Sequence, residues 1–477
     1  MQRQYEATTT EGTNSYNRFL NMTVEQCMSG YYITGYALNF KDVGNEINTE
    51  GNGISMVQNI SSTILNGAFV GIYTQAEYNF ILRNTEVKNI SSPSGSLVNG
   101  ISISDGDSVT ISNNSIHDIT TPTNINGLTV SPLRFGIVSD NSIYNLYGTG
   151  SSTSVNVKGL NVYATQAGNP DTGAVSVFRN KIYRLYSSGN GTSQAVGITL
   201  GKGQPLVYNN MVSDVKASAS GNSGGAYGIL IGNGETNTIA KLYFNTVYLD
   251  DSSSNSLYTS AGILSTGTVG KLDLRNNVVV NVSNVTTGTR AVAFMKNNST
   301  DIVDTSCNNN LWYAGFPGTK NLLYYDGTNS VQSLSALKAL SIIIPAESNS
   351  VHENVFFQLP ANGTLRPNAT IPTRIESGAQ IISGISTDFE NDTRNPLTPD
   401  LGADEGIFTP GIPDCNGNPV ASIALSNPSL VCPAALFTLS LNINFGFDYS
   451  FQWESSTTGP ASGYVAIPGA INAAYTT

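Results

Sequence analysis

Apolar and polar residues alternate along this chain in short runs, as in Gly100-Ile101-Ser102-Ile103-Ser104. A period of two turns one row of side chains toward a core and the other toward solvent, the signature of a half-buried strand. No segment sustains the 3.6-residue period of an amphipathic helix, which excludes a helical solenoid. The runs also repeat. An apolar residue, then asparagine-rich positions, then an apolar pair recurs as Leu82-Arg83-Asn84-Thr85-Glu86-Val87, Ile111-Ser112-Asn113-Asn114-Ser115-Ile116, Val138-Ser139-Asp140-Asn141-Ser142-Ile143 and Val177-Phe178-Arg179-Asn180-Lys181-Ile182. Later copies hold Asn209-Asn210-Met211-Val212, Phe244-Asn245-Thr246-Val247, Asn276-Asn277-Val278-Val279 and Asn308-Asn309-Asn310-Leu311. From Asn114 the steps to Asn141, Asn180, Asn210, Asn245, Asn277 and Asn309 are 27, 39, 30, 35, 32 and 32 residues.

A second motif keeps the same beat. Gly71-Ile72, Gly100-Ile101, Gly127-Leu128, Gly159-Leu160, Gly197-Ile198, Gly228-Ile229 and Gly262-Ile263 each open a short alternating run. Two motifs in lockstep at about thirty residues define a solenoid. Loops of variable length between fixed strands fit a parallel β-helix, in which one turn grows without disturbing its neighbours. Equivalent positions then stack about 4.8 Å apart, and the recurrent asparagine becomes a ladder of side-chain amides. The expectation is an all-β, right-handed parallel β-helix of about ten coils between Phe19 and Trp312. Asparagine also tolerates the left-handed backbone of a sharp corner.

Composition narrows the partners. Of the 477 residues only 12% are charged, the net charge is −11, and 22 Lys and Arg are scattered without a basic stripe. That excludes a nucleic-acid binder and disfavours an anionic membrane surface. No run of about 18 apolar residues exists to span a bilayer. The start, Met1-Gln2-Arg3-Gln4-Tyr5, carries no apolar leader core.

These repeats resemble the right-handed parallel β-helix proteins of the pectate-lyase-like superfamily, in particular the large secreted β-helix proteins of Bacteroidetes-type bacteria. The resemblance spans roughly residues 15–408. It includes a tail, Ile385-Ser386-Thr387-Asp388-Phe389-Glu390 through Arg394 to Pro399-Asp400-Leu401-Gly402-Ala403-Asp404-Glu405, similar to the D-F-x-G-x-x-R…P-D-[IL]-G-A-x-E ending frequent in such proteins. Asn391-Asp392 stands where that pattern has glycine. The resemblance implies an extracellular or outer-surface protein acting on, or binding, polysaccharide.

The expected organisation is a β-helix over 1–316, a closing segment over 317–408 with a short helix at 333–340, a linker over 409–418 and a truncated immunoglobulin-like domain over 419–477. Asp388, Arg394, Asp400, Asp404 and Glu405 are read as tying the chain end over the last coil, with a calcium or substrate site as the alternative. The last domain rests on Cys432 followed by Trp453, which resembles the B and C strands of such a sandwich. The strands needed to complete it do not follow, so the leader and the C-terminal end are expected to lie outside this chain. Cys415 and Cys432 pair with each other or with lost partners. Cys27 and Cys307, at opposite ends of the β-helix, are isolated thiols. No Cys/His cluster offers a zinc site.

Candidate chemistry comes from stacking the repeats. Asp140, Arg179 and Lys181 form the one charged cluster and are the weak catalytic candidates, against the alternative of a surface ion pair worth up to ~1 kcal/mol. One place after the reference apolar residue run His117, Tyr144, Tyr183, Ser213, Tyr248, Val280 and Trp312. Tyr144, Tyr183, Tyr248 and Trp312 are therefore the candidate ligand-binding residues, as ring platforms for sugar faces, although tyrosine is also a common strand residue. Asp105 and Asp107 are the weak metal candidates, with calcium as the cation and a plain turn as the alternative. His117 and His352 are the only histidines, and no Gly-x-Ser-x-Gly elbow accompanies them.

Three functions are carried forward. The first is an exported, non-catalytic carbohydrate-binding or adhesin-like protein, acting as a monomer on an extracellular polysaccharide or cell-surface glycan. The second is a polysaccharide lyase or glycoside hydrolase, which requires carboxylates stacked on one face. The third is an ice- or surface-binding solenoid presenting Ser102, Thr129, Asn161 and Thr199, a column interrupted by Leu230 and Leu264.

Overall fold

The computed structural model describes residues 12–35, 40–48, 53–61, 69–92, 97–152, 154–164, 173–221, 224–232, 238–267, 270–286, 289–297, 302–411, 424–427, 435–441, 452–459, 462–471 and 474–476, without the side chains of 132 and 133. Cys415 and Cys432 lie outside these residues. The chain divides into two compact units, Met1–Pro410 and Gly411–Thr477.

The first unit is a parallel β-solenoid of about eight full turns rather than ten. Three sheets run its length, here called A, B and C in the order the chain visits them. The end levels account for the difference, because their strands are short, such as Arg18–Phe19 at the start and Ile302–Val303 at the finish. Sheet C continues past residue 316 to the strand Asn321–Tyr325, paired in parallel with Arg290–Lys296.

The core is built from in-register columns. Sheet B stacks Val87, Ile116, Ile143 and Ile182, and sheet C stacks Ile101, Leu128, Leu160 and Ile198, all with no exposed surface. Burying such a side chain contributes about 1.5–3 kcal/mol, but only while the adjacent coils are in place. The last level is closed by aromatics: Phe294 packs on Trp312 at 5.7 Å and on Tyr324 at 5.5 Å. Beyond them the short helix Leu334–Lys338 buries Leu334 and Leu337, with Ser333 capping its start.

The repeating glycines sit inside the sheet C strands, not at their starts: Gly100 lies within Val98–Gly106 and Gly159 within Asn156–Val162. Their role is space. A Cβ on Gly159 would lie 2.6 Å from Ile182 Cγ2 and 2.7 Å from the Gly197 carbonyl oxygen of the next coil.

The asparagine ladder forms as expected at Asn114, Asn141, Asn180, Asn210, Asn245 and Asn277. Each side-chain amide donates to the Oδ1 of the next rung at 2.9–3.0 Å. The same Nδ2 donates to a main-chain carbonyl, for example Asn180 to Val138 at 2.9 Å. Each Oδ1 also accepts the previous rung's main-chain N–H, as Asn180 does from Asn141 at 3.2 Å. The final rung is Asn310, not Asn309. The left-handed corner falls one residue before each rung, at Asn113, Asp140, Arg179, Asn209, Phe244, Asn276 and Asn309, so the rung itself is free to bond. The ladder ends on Glu347, a buried carboxylate that accepts from Asn310 Nδ2 at 3.1 Å and from Trp312 Nε1 at 2.8 Å.

Among the described residues, Gly411–Thr477 contains two small antiparallel sheets, Ala424–Asn427 with Thr438–Leu441 and Ala474–Thr476, and Glu454–Ser456 with Tyr464–Ala466. Trp453 bonds through its main chain to Ala470 and Ile467, at 2.9 Å each.

Two predictions follow from this architecture. Asn180→Ala leaves the Asn141 main-chain N–H and one of its side-chain N–H groups without an acceptor in the interior, a loss of roughly 3 kcal/mol read from the denaturation midpoint, with Asn297→Ala on the surface costing under ~1 kcal/mol as control. Near the first coils, Glu77 is fully buried and accepts from Asn45, and burial, with Asp42 close by, pushes its carboxyl up to about 8. The folded state therefore holds a proton that the unfolded chain releases above its ordinary value, and stability falls as pH rises from about 4.5 to about 8. Glu77→Gln flattens that slope, gaining up to ~4 kcal/mol at pH 8 and nothing at pH 4.

Candidate functional site

The segment after the helix first closes the last coil, where Ile343 and Ala346 join the core, Glu347 ends the ladder and Val351 bridges to Leu311. It then doubles back along the flank of the solenoid as a strap over the outer face of sheet B. Outward Val278, Val280, Leu311 and Tyr313 form a second apolar layer with Val355, Ile375, Leu401 and Phe408 of the strap. The main-chain N–H of Gly402 donates to the Asn276 carbonyl oxygen at 2.8 Å, and that of Ala403 to Thr246 Oγ1 at 2.8 Å. The corner asparagines also bind it: Asn209 donates to Thr387 O, Asn276 to Gln380 O and Asn309 to Gly378 O, at 2.7–2.9 Å.

Arg394 is the pin. Only 4% exposed, it lies 4.0 Å over the Phe244 ring and donates to Asn209 Oδ1, the Gly402 and Asp400 carbonyls and Glu405. Burial pulls its guanidinium below the usual arginine value, and Glu405 opposes that shift. Asp388 accepts the N–H groups of Asp392 and Glu405, and Asp400 those of Ser377 and Gly406. Of the five tail residues, Arg394 bonds the flank, whereas Asp388, Asp400, Asp404 and Glu405 bond within the strap and hold it in shape around Arg394, instead of tying the chain end over the last coil.

The strap reaches back to the hairpin Phe357–Leu359 with Thr364–Pro367, whose tip rests on Tyr183. Lys181 Nζ donates to Thr364 Oγ1 at 3.3 Å, Arg184 bonds Ala361 O and Asn362, and Ser213 Oγ donates to Pro360 O at 2.6 Å. Among the described residues, the strap leaves the outer face of sheet B uncovered from this tip toward the N-terminal coils.

The expected residues separate on this frame. Arg179 binds Asp140 in a two-pronged pair at 2.6 and 3.1 Å at the corner, while Lys181 points to the hairpin, so they form no joint catalytic group. Asp105 is paired with Lys41 at 3.0 Å and Asp107 with Arg134 at 3.7 Å, so neither carboxylate is free to share a cation with the other. Tyr248 is covered by the strap, edge-on to Phe357 at 5.7 Å. Trp312 points inward: it pairs with Val279, and Tyr313 continues the outer column opposite Val280. A one-residue shift at the last rung exchanges the two faces. The column expected for an ice-binding face is not an open plane, because Asn161 and Thr199 are buried and Leu230 and Leu264 belong to an outer apolar cluster on sheet C.

Tyr144 remains on the open stretch, stacked between His117 and Tyr183, with Tyr183 itself under the hairpin tip. Centroids are 4.6 Å apart for His117–Tyr144 and 4.9 Å for Tyr144–Tyr183, each pair within 6° of parallel. The rings therefore cover one another's faces and offer edges and phenol hydroxyls outward. His117 is held from both sides, by Glu86 at 3.0 Å and Asp118 at 2.8 Å. Its proximity, with that of Lys88 and Asn145, keeps the Glu86 and Asp118 carboxyls below their usual range despite burial, which acts the other way.

Sequence reasoning missed a neighbouring column four places after the reference residue: Tyr147, Tyr186 and Lys216. Tyr147 and Tyr186 are tilted by 48° at 5.4 Å, so these faces are not mutually hidden. Tyr186 and Lys216 open onto a concavity of about 430 Å³ with Ser187, Ser188, Ser218 and Ala219. Tyr186 donates to Asp214, and Lys216 reaches Asp214 at 2.8 Å and Asp250 at 3.5 Å. Burial opposes the Lys216 charge, yet the two carboxylates outweigh it and hold the ammonium above the usual lysine value. Burial raises the Asp250 carboxyl, with Lys216 opposing.

No family model matches this chain, and no curated protein matches it. Among the described residues no helix is long and apolar enough to cross a membrane.

Replacing Arg394 by Met is expected to release the strap, at a cost of about 3–5 kcal/mol for the carboxylate left buried without its partner. Limited proteolysis checks this: cleavage within 380–405 accelerates while the solenoid stays intact.

Proposed function

We propose that the protein is a non-catalytic binder of an elongated, polyhydroxylated polymer, an extracellular glycan, laid along the open half of sheet B. The observation that carries this reading is the concavity lined by the Tyr186 ring and the Lys216 ammonium, with Ser187, Ser188 and Ser218 around them. An aromatic surface beside a few directed polar groups is the usual composition of a small-ligand site. Tyr147, beside Tyr186 on the preceding coil, extends it along the axis at the coil spacing, with the phenol edge of Tyr144 three places away on the same strand. Kinship with the exported β-helix proteins of the pectate-lyase-like superfamily in Bacteroidetes-type bacteria, and an immunoglobulin-like origin for the C-terminal unit, belong to the same reading. They are supported by the repeats, the tail motif and the Cys–Trp spacing.

Catalysis is the second reading, favoured by Asp214 and Asp250 on adjacent coils flanking one lysine. A general base must be available in its neutral form near the working pH. Lys216 is stabilised as the cation instead, which favours binding.

The test is affinity electrophoresis and a reducing-end assay on neutral, pectic and alginate polysaccharides. At least one polymer is expected to retard the protein without new reducing ends, and Tyr186→Ala is expected to weaken binding about tenfold, ~1.4 kcal/mol. New ends abolished by Asp214→Asn would replace binding with catalysis; no retardation by any polymer would remove the glycan reading.

A further inference from the structure

The strap carries a group of carboxylates that its hydrogen bonds do not fully explain. Asp388, Glu390 and Asp404 each bring an oxygen within 4.8 Å of the others. Asp388 is fully buried and its two oxygens accept main-chain N–H groups, from Asp392 at 2.7 Å and Glu405 at 2.9 Å. Asp404 is 98% buried by its 2% exposure, and its Oδ1 accepts from Arg366 Nε at 3.0 Å. Its Oδ2 is buried and receives no donor, and the Asp404 and Glu390 carboxyls lie against each other. Glu390, at the surface, meets Arg366 at 3.4 Å.

The charges do not balance. Arg366 meets Glu390 and Asp404, while Arg394 and Arg179, the other guanidiniums near Asp388, are already bound by Glu405 and Asp140. An orphaned carboxylate oxygen in the interior is costly unless a proton or a cation occupies it. A shared proton would satisfy one oxygen but leave the remaining negative charge uncompensated.

We propose that Asp388, Glu390 and Asp404 bind a calcium ion that fastens the strap to the solenoid. The ligands are all oxygen, the preference of a hard divalent cation. The spacing falls inside the about 5 Å that opposite ligands of calcium span. Irregular loop positions suit calcium's flexible coordination better than the strict octahedron of magnesium, and main-chain carbonyls and water complete the shell. The ion joins two stretches of the strap, 388–390 and 404, beside the points where Thr387 and Asn391 meet Asn209 and Arg179 of the flank. It would therefore control how firmly the strap is held.

The experiment uses the full chain after dialysis against a chelator, with calcium chloride as the probe. Calorimetric titration is expected to show one site, with a thermal midpoint that rises with calcium, slower proteolysis within 380–405, and magnesium at least ~10-fold weaker. Glu390→Gln, a surface change that leaves the fold intact, is expected to lower calcium affinity at least ~10-fold, and Asp404→Asn to abolish binding. Absence of heat and of any midpoint shift up to ~10 mM calcium would overturn the proposal in favour of a shared proton. Binding unchanged in both variants would overturn it by placing the ion elsewhere.

Discussion

Everything in the solenoid hangs on a side-chain amide stacked on its own copy in the next coil. Asparagine has two donors and an acceptor that takes two bonds, and the ladder uses all of them. One donor and the acceptor run along the axis from rung to rung. The other donor reaches back to a carbonyl, and the acceptor's second bond takes a main-chain N–H. Because no polar group is left over, the corner between sheets A and B can be buried. The left-handed residue before each rung makes the turn, which leaves the rung's side chain aimed along the axis. That division of labour explains why Arg179 and Phe244 are tolerated at the corner while the rungs stay asparagine.

The ladder also fixes which residues reach the outer face of sheet B, and the strap decides which of them remain open. Levels near the C-terminal end carry outward valines and leucine, useless in solvent but well matched to the strap's own apolar side. Earlier levels carry glutamate, lysine, histidine and tyrosine. The boundary is the hairpin tip on Tyr183, and the concavity beneath Tyr186 and Lys216 opens just beside it. The open face is thus the part of a periodic surface that the protein has not used to hold itself together.

Much of this was legible in the sequence, because periodicity survives variable loops. Rungs Asn114 to Asn277 and the glycine column could be read by spacing alone, and they gave the fold and the partners of Tyr144 and Tyr183. Spacing places the last rung one residue early because Asn308, Asn309 and Asn310 are identical in type, and only three-dimensional pairing distinguishes the corner from the rung. That slip turned Trp312 from a core plug into a surface ring. The strap was illegible for a different reason. Its partners lie up to 212 residues away, and nothing periodic links Arg394 to Asn209 or Asn391 to Arg179. Parallel stacking of Tyr144 and Tyr183 is likewise a matter of rotamer, which spacing does not encode.

The most direct test of the account is site-resolved amide hydrogen exchange on the intact protein. Main-chain N–H groups of Asn114, Asn141, Asn180, Asn210, Asn245 and Asn277, each donating to the Oδ1 of the following rung, should be among the slowest in the molecule and should exchange together. If those amides instead exchange as fast as surface turns, or independently of one another, the ladder does not hold the coils in register and the account fails.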